Sequence, residues 1–102
     1  MFGTVARLKV QPGKEQAFIE YGERWSGERG GATGQVASYL VKLSGKPDEF
    51  MMVAIFEDRE SYRRNASDPR TDQLYQGMRE LLQSDPEWND GEIVELPVVS
   101  GI

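Results

Sequence analysis

The chain contains no cysteine and no histidine. The first absence removes disulfides, thiolate nucleophiles, zinc ribbons and iron–sulfur clusters together. The second removes the one side chain whose ordinary pKa lies near neutrality, the usual haem ligand, and the base of every Ser-His or Cys-His pair. Acid–base work therefore falls to a carboxylate, a Lys, a Tyr or the ligand itself. Positive charge is scarce as well: 12 Lys plus Arg stand against 17 Asp plus Glu, a formal net charge of −5, with no basic block. The electrostatic footprint of a phosphate-backbone binder is missing, so nucleic acid is not an expected partner. No run approaches the ~20 apolar residues of a membrane span. The opening MFGTVARLKV alternates where a signal peptide would have an unbroken apolar core. The expectation is a cytoplasmic protein with no membrane partner, and 102 residues suit a single domain over 1–102 with one hydrophobic core.

What is present reads as strand, helix, two strands, two helices, strand. Residues 2 to 10 alternate, with Phe2, Thr4, Ala6, Leu8 and Val10 on one face and Gly3, Val5, Arg7 and Lys9 on the other. Gln11-Pro12-Gly13 stops that strand, and Pro12 suits the first turn of a helix, where its missing N–H is no loss. Ala17, Phe18, Tyr21 and Trp25 then make one apolar stripe, with Ile19 off it. The Gly-rich run Gly27 to Gly34 ends the helix in a flexible, exposed connection.

Residues 36 to 43 and 49 to 56 form two strands separated by turn residues Ser44 to Asp48, and should pair antiparallel. The second strand, Phe50 to Phe56, is apolar on both faces. An antiparallel strand in a two-layer domain needs only one apolar face, so something other than this chain's helices must cover the other. A second copy of the sheet is the simplest cover. Asp58 suits the N-cap of a short helix carrying Tyr62, Asn65 and Ala66. Asp68 and Pro69 start a third helix with the stripe Leu74, Tyr75, Met78, Leu81 and Leu82, closed by Asp85-Pro86. The last strand is expected over Glu92 to Leu96.

Within this order, three segments are distinctive: Val10 to Glu15, Gly45 to Phe50, and Phe56-Glu57-Asp58-Arg59-Glu60-Ser61-Tyr62 running on to Ser67-Asp68-Pro69. They resemble the antibiotic biosynthesis monooxygenase family over nearly the whole chain. The resemblance implies an α+β, ferredoxin-like βαββααβ antiparallel sheet with helices on one face, two subunits packing their sheets face to face as a dimeric α+β barrel. It also implies a functionally mixed group. Some members oxidise hydroxylated aromatics or quinols without any cofactor; others degrade haem. The haem-degrading branch uses an Asn on the first strand and a Trp and a His on the helices after the third. Ala6, Asn65 and Tyr75 stand at the corresponding positions here, so haem degradation is not expected.

A pocket is expected between sheet and helices. Asn65 is the polar intruder on its stripe; its carboxamide could hydrogen-bond a phenol or quinone oxygen, or tie down a loop backbone. Tyr75 could relay a proton or serve as a core aromatic. With Asn65 and Tyr75 as the catalytic candidates, Tyr62, Trp25, Tyr21 and Ala6 are the expected substrate contacts, although an aromatic stripe at helical spacing also explains Tyr21 and Trp25 as core. Arg7 suits an intersubunit salt bridge, and Tyr39 shares a face with Ala37 and Val41. Glu57, Asp58, Glu60 and Asp68 are explained by capping and solvation rather than by a metal. Two functional expectations follow. One is a cofactor-independent monooxygenase acting on a small electron-rich aromatic of quinol or polyphenol type. The other is a non-catalytic homodimeric ligand-binding or interaction module.

Overall fold

The computed structural model describes residues 1–29 and 34–98, with the side chains of residues 28 and 29 excepted. Four strands, β1 (Phe2–Lys9), β2 (Gln35–Lys42), β3 (Glu49–Phe56) and β4 (Glu87–Glu92), form one sheet in the order β2-β3-β1-β4. Three helices, α1 (Glu15–Arg29), α2 (Arg59–Ser67) and α3 (Pro69–Arg79), connect them. All neighbouring strands run antiparallel. This order and connectivity make a ferredoxin-like α+β fold.

Alternation decides which residues meet the helices. On β1 the even positions are buried, and their partners across the register, Phe50, Met52, Ala54 and Phe56, share that face. Ala6, Leu8, Val10 and Phe50 meet Phe18 of α1, Met78 of α3 and Leu82 in one cluster, with the Phe18 and Phe50 rings 5.2 Å apart. Phe2, Phe56 and Tyr62 form a second aromatic group under α2, at 5.2 and 5.4 Å between ring centres. Gly3 allows β1 and β3 to approach closely, since a Cβ there would strike the carbonyl oxygen of Ala54.

The helix starts follow local chemistry. Asp58 is extended, and its carboxylate accepts from the Ser61 backbone N–H at 2.7 Å. Asp68 caps α3 in the same way through the Arg70 N–H at 2.8 Å, with Pro69 at the first helical position. Glu15, in the first turn of α1, pairs with Lys42 at 2.7 Å and accepts from the Asp48 N–H at 3.1 Å. One carboxylate thereby ties α1 to both ends of the β2–β3 turn, where Gly45 and Asp48 hold positive φ.

Four expectations need correction. Pro12 lies in a turn with Gly13, which holds a φ of +81°, and the helix begins only at Glu15. The turn is pinned by the Gln11 carbonyl, which accepts from Lys14 N–H. Gly27 lies inside α1 rather than ending it; residues 30–33 of the expected Gly-rich connection fall outside the described residues. Helix α3 stops at Arg79, short of Asp85, because Leu82 is claimed by a bridge to Val10 and the Gln83 N–H by the Lys9 carbonyl. The last strand is Glu87–Glu92, not Glu92 to Leu96. It pairs with the free edge of β1, and a strand at a solvated edge needs ladder partners more than apolar side chains.

Arg7 forms its ion pair within the chain, with Glu49 at 3.4 Å. The face it shares with Val5 carries no helix. Val5, Val53 and Tyr39 sit opposite one another on that face, as do Arg7, Met51 and Val41.

Candidate functional site

The sheet and the three helices do not close fully on each other. Between them lies a cleft of about 870 Å³. Thr4, Met52, Ala54 and Phe56 from the central strands form its floor, with Leu40 on one side and Trp88 and Asp90 on the other. Phe18, Ile19, Trp25 and Ser26 of α1 make one wall, and Tyr62, Asn65, Thr71, Tyr75 and Met78 of α2 and α3 make the opposite one. The residues of α2 and α3 in this wall lie on two separate short helices, capped at Asp58 and Asp68.

Asn65 is half-buried on α2 and faces this space. The Thr71 hydroxyl donates to its Oδ1 at 3.1 Å. That bond fixes the orientation of the amide and leaves its two Nδ2 hydrogens without a partner among the described residues. Tyr62 donates its hydroxyl to Asp90 Oδ1 at 2.9 Å. Burial, followed by the hydrogen bond to Asp90, pushes the Tyr62 hydroxyl from its ordinary 10.0 up to about 12. Tyr62 is therefore neutral at any ordinary pH, with its hydroxyl hydrogen directed to Asp90. The Tyr75 ring lies 6.2 Å from that of Trp88 across the mouth formed by α3 and β4.

Of the residues singled out by sequence, the cleft brings together Asn65, Tyr75, Tyr62 and Trp25. It does not include Tyr21 or Ala6. The Tyr21 hydroxyl donates to the Leu74 carbonyl at 2.7 Å, with its ring against Gly77, so this side chain clamps α1 to α3. Gly77 is needed there, since a Cβ would meet the Tyr21 ring. Ala6 is fully enclosed in the core cluster beneath the helices. Ile19, read as lying off the apolar stripe, lines the cleft, while Ala17 is exposed. The inward face of α1 runs through residues 18, 19, 22, 25 and 26, one step round from the stripe that starts at Ala17.

Sequence reasoning missed Trp88 and Asp90. Both alternate on one face of β4, opposite Ala6 and Thr4 respectively. The signal was present as Trp88-Asn89-Asp90, but a strand of such polarity resembles a loop. Among the described residues, no group of three or more carboxylates converges as a metal site, and no helix is long and apolar enough to cross a membrane.

Comparison with known proteins places this geometry. The family described as antibiotic biosynthesis monooxygenase matches residues 1–70. No curated protein matches the chain by sequence. Among solved structures, a mutant of SnoaB, a cofactor-independent oxygenase from Streptomyces nogalater, superposes with a TM-score of 0.82 at 18% identity, covering 93% of this chain and 94% of that one. A candidate antibiotic biosynthesis monooxygenase from Deinococcus radiodurans gives 0.83 at 12% identity, covering 99% and 100%. Another from Caulobacter crescentus CB15 gives 0.82 at 17% identity, covering 92% and 90%. At these identities the likeness establishes the fold.

Proposed function

The chain belongs to the antibiotic biosynthesis monooxygenase family, and from that premise we propose that it is a cofactor-independent monooxygenase acting on a small electron-rich aromatic of quinol or polyphenol type. The observation that carries this reading is the cleft, whose apolar and aromatic walls hold a pre-oriented amide at Asn65 with two free donors. In this chemistry the substrate supplies the electrons. Deprotonation of a ring hydroxyl gives a phenolate that transfers an electron to O₂. Recombination at a ring carbon forms a C–O bond as a hydroperoxide. Cleavage of its O–O bond with loss of the carbon-bound proton releases water and leaves a quinone, so one oxygen atom enters the product and the other leaves as water. A naphthol and O₂ thus give a naphthoquinone and water, with no external reductant.

The protein's part is to hold the anion and exclude solvent. Asn65 Nδ2 donates to the phenolate oxygen as charge develops there. Tyr62, its one hydroxyl hydrogen held by Asp90, closes the floor beside it, while Trp25 and Tyr75 flank the ring. The hydroxyl proton and the carbon-bound proton both leave in the water released, so the net reaction neither consumes nor releases protons, and it needs no His or Cys, which the chain lacks. SnoaB, of the same fold, is an oxygenase that needs no cofactor.

The test is oxygen uptake by chelator-treated protein on a panel of naphthols and quinols. Turnover faster than autoxidation, with one O₂ consumed per quinone formed, is expected. Asn65→Ala should lower kcat by about 100-fold, the usual loss for one donor to a developing oxyanion. No turnover above autoxidation and no effect of Asn65→Ala would leave the cleft as the ligand site of a non-catalytic module.

The same proposal includes a homodimer. Val5, Tyr39, Val41, Met51, Val53 and Ile55 make an apolar, helix-free sheet face, and a second copy related by a two-fold axis covers it with the same residues. Light scattering should find twice the 11.5 kDa mass of one chain. A purely monomeric species at micromolar concentration would refute the pairing.

A further inference from the structure

The charge of the cleft is one-sided. Three carboxylates line it, Glu23 on α1, Asp72 on α3 and Asp90 on β4, and no Lys or Arg does so among the described residues. None of the three is in an ion pair among those residues. Several cations are engaged elsewhere: Lys42 with Glu15, Arg7 with Glu49, Arg79 with Asp85, Arg64 with Glu60, Arg24 over the Tyr21 ring and Arg59 over the Phe2 ring. The site thus carries a negative bias from three solvent-exposed carboxylates, which acts through water and is open to screening by salt.

This field makes a demand on the substrate. Resting on the oxygenase reading, the reaction must build a phenolate inside the cleft, and three carboxylates oppose it. An anionic substituent on the ring would add to the opposition. A cationic one would offset it, and would also meet the π-faces of Trp25, Tyr75 and Trp88, which attract ammonium groups. We propose that the cleft is specific for hydroxylated aromatics that carry an ammonium group, and that it discriminates against their carboxylated counterparts.

The probes are three hydroxynaphthalenes with an aminomethyl, a methyl or a carboxyl group at the same ring position, titrated calorimetrically into the protein with oxygen excluded. Binding is read without turnover, so this inference and the oxygenase reading can fail separately. The aminomethyl probe should bind about tenfold more tightly than the carboxyl probe at low salt, with the methyl probe between them, as expected for a unit charge near screened carboxylates. Raising the salt should shrink the gap. The double variant Glu23→Gln/Asp72→Asn should narrow it to about threefold, since both residues are exposed and neither supports the fold by an ion pair. Equal or tighter binding of the carboxyl probe, or a gap that the double variant leaves unchanged, would overturn the proposal. So would the absence of heat from all three probes, and that result would also remove the aromatic ligand from the oxygenase reading. The expected order of binding with no oxygen uptake would keep the charge preference and refute the oxygenase alone.

Discussion

The two faces of the sheet are built from similar residues and meet different fates. On the face toward the helices, Ala6 and Phe50 are completely buried. On the opposite face, Val5 remains 36% exposed, Val41 47% and Tyr39 61%. Strand β3 supplies apolar side chains to both, yet the chain's own helices cover only one. The difference separates stability from association. The covered face packs the core and leaves the cleft beneath the helices; the open face carries no helix and is the one proposed above to meet a second copy.

The strongest way to break this comparison is to empty one position on each face. Phe50→Ala, on the covered face, should destabilise the fold by about 3–5 kcal/mol, as for a large aromatic removed from a core. Denaturant unfolding with unchanged slope measures it. Val53→Glu, on the open face, should instead act through association, with a cost of several kcal/mol for burying an unpaired carboxylate in the dimer. Light scattering at decreasing concentration should show monomers for this variant alone. A Val53→Glu protein as dimeric as the parent would mean that the open face is not the interface.

A smaller effect sharpens the boundary between the faces. Gly3 sits where β1 and β3 touch, and Gly3→Ala should cost about 1–3 kcal/mol because the clash is with the rigid backbone of Ala54. The same measurement on Gly91→Ala, whose Cβ would meet nothing nearby, should show little change.

Ionisation gives the finest comparison. Tyr62 on the cleft side should titrate near 12, and Asp90→Asn should bring it down by removing both the carboxylate acceptor and its charge. Phenolate absorbance checks this. Since the folded value is raised, the stability linked to Tyr62 is fully present below pH 10 and is lost as pH rises through about 12. At the acid end the sign reverses. The hydrogen bond from Lys42 holds the Glu15 carboxyl below its ordinary 4.5, and the Ser61 backbone N–H holds Asp58 below 3.8. Their stabilisation is present above those ordinary values and is lost as pH falls through the folded ones. Melting temperature against pH should decline there, and less steeply in Glu15→Gln.

What could be read in the sequence follows from how local each determinant is. The caps at Asp58 and Asp68 were legible because a side-chain oxygen meets an N–H only two or three residues away. The alternation of β1 and the double apolar face of β3 were legible because each needs one strand's pattern alone. The end of α3 was not, because Leu82 is taken by Val10, 72 positions earlier in the chain. Strand β4 was hidden for a related reason: its pairing with β1 is set by backbone ladders, and Glu87 to Glu92 carry little hydrophobic signal. Losing β4 concealed Asp90 and Trp88, and with them the acid side of the cleft. Asn65 stood out because an amide on an apolar stripe needs a partner; Thr71, six residues on, was visible only in three dimensions. Tyr21 had the right spacing for the cleft but the wrong angular position, turned toward Gly77.

The division between the faces is tested most directly by amide chemical-shift mapping of isotopically labelled protein titrated with a hydroxynaphthalene. Saturable shifts at Asn65, Tyr75, Trp88 and Asp90, with Val5, Val41 and Val53 unmoved, are the predicted result. Shifts centred on Val5, Val41 and Val53 would place the ligand on the open face and contradict the assignment of the cleft as the site.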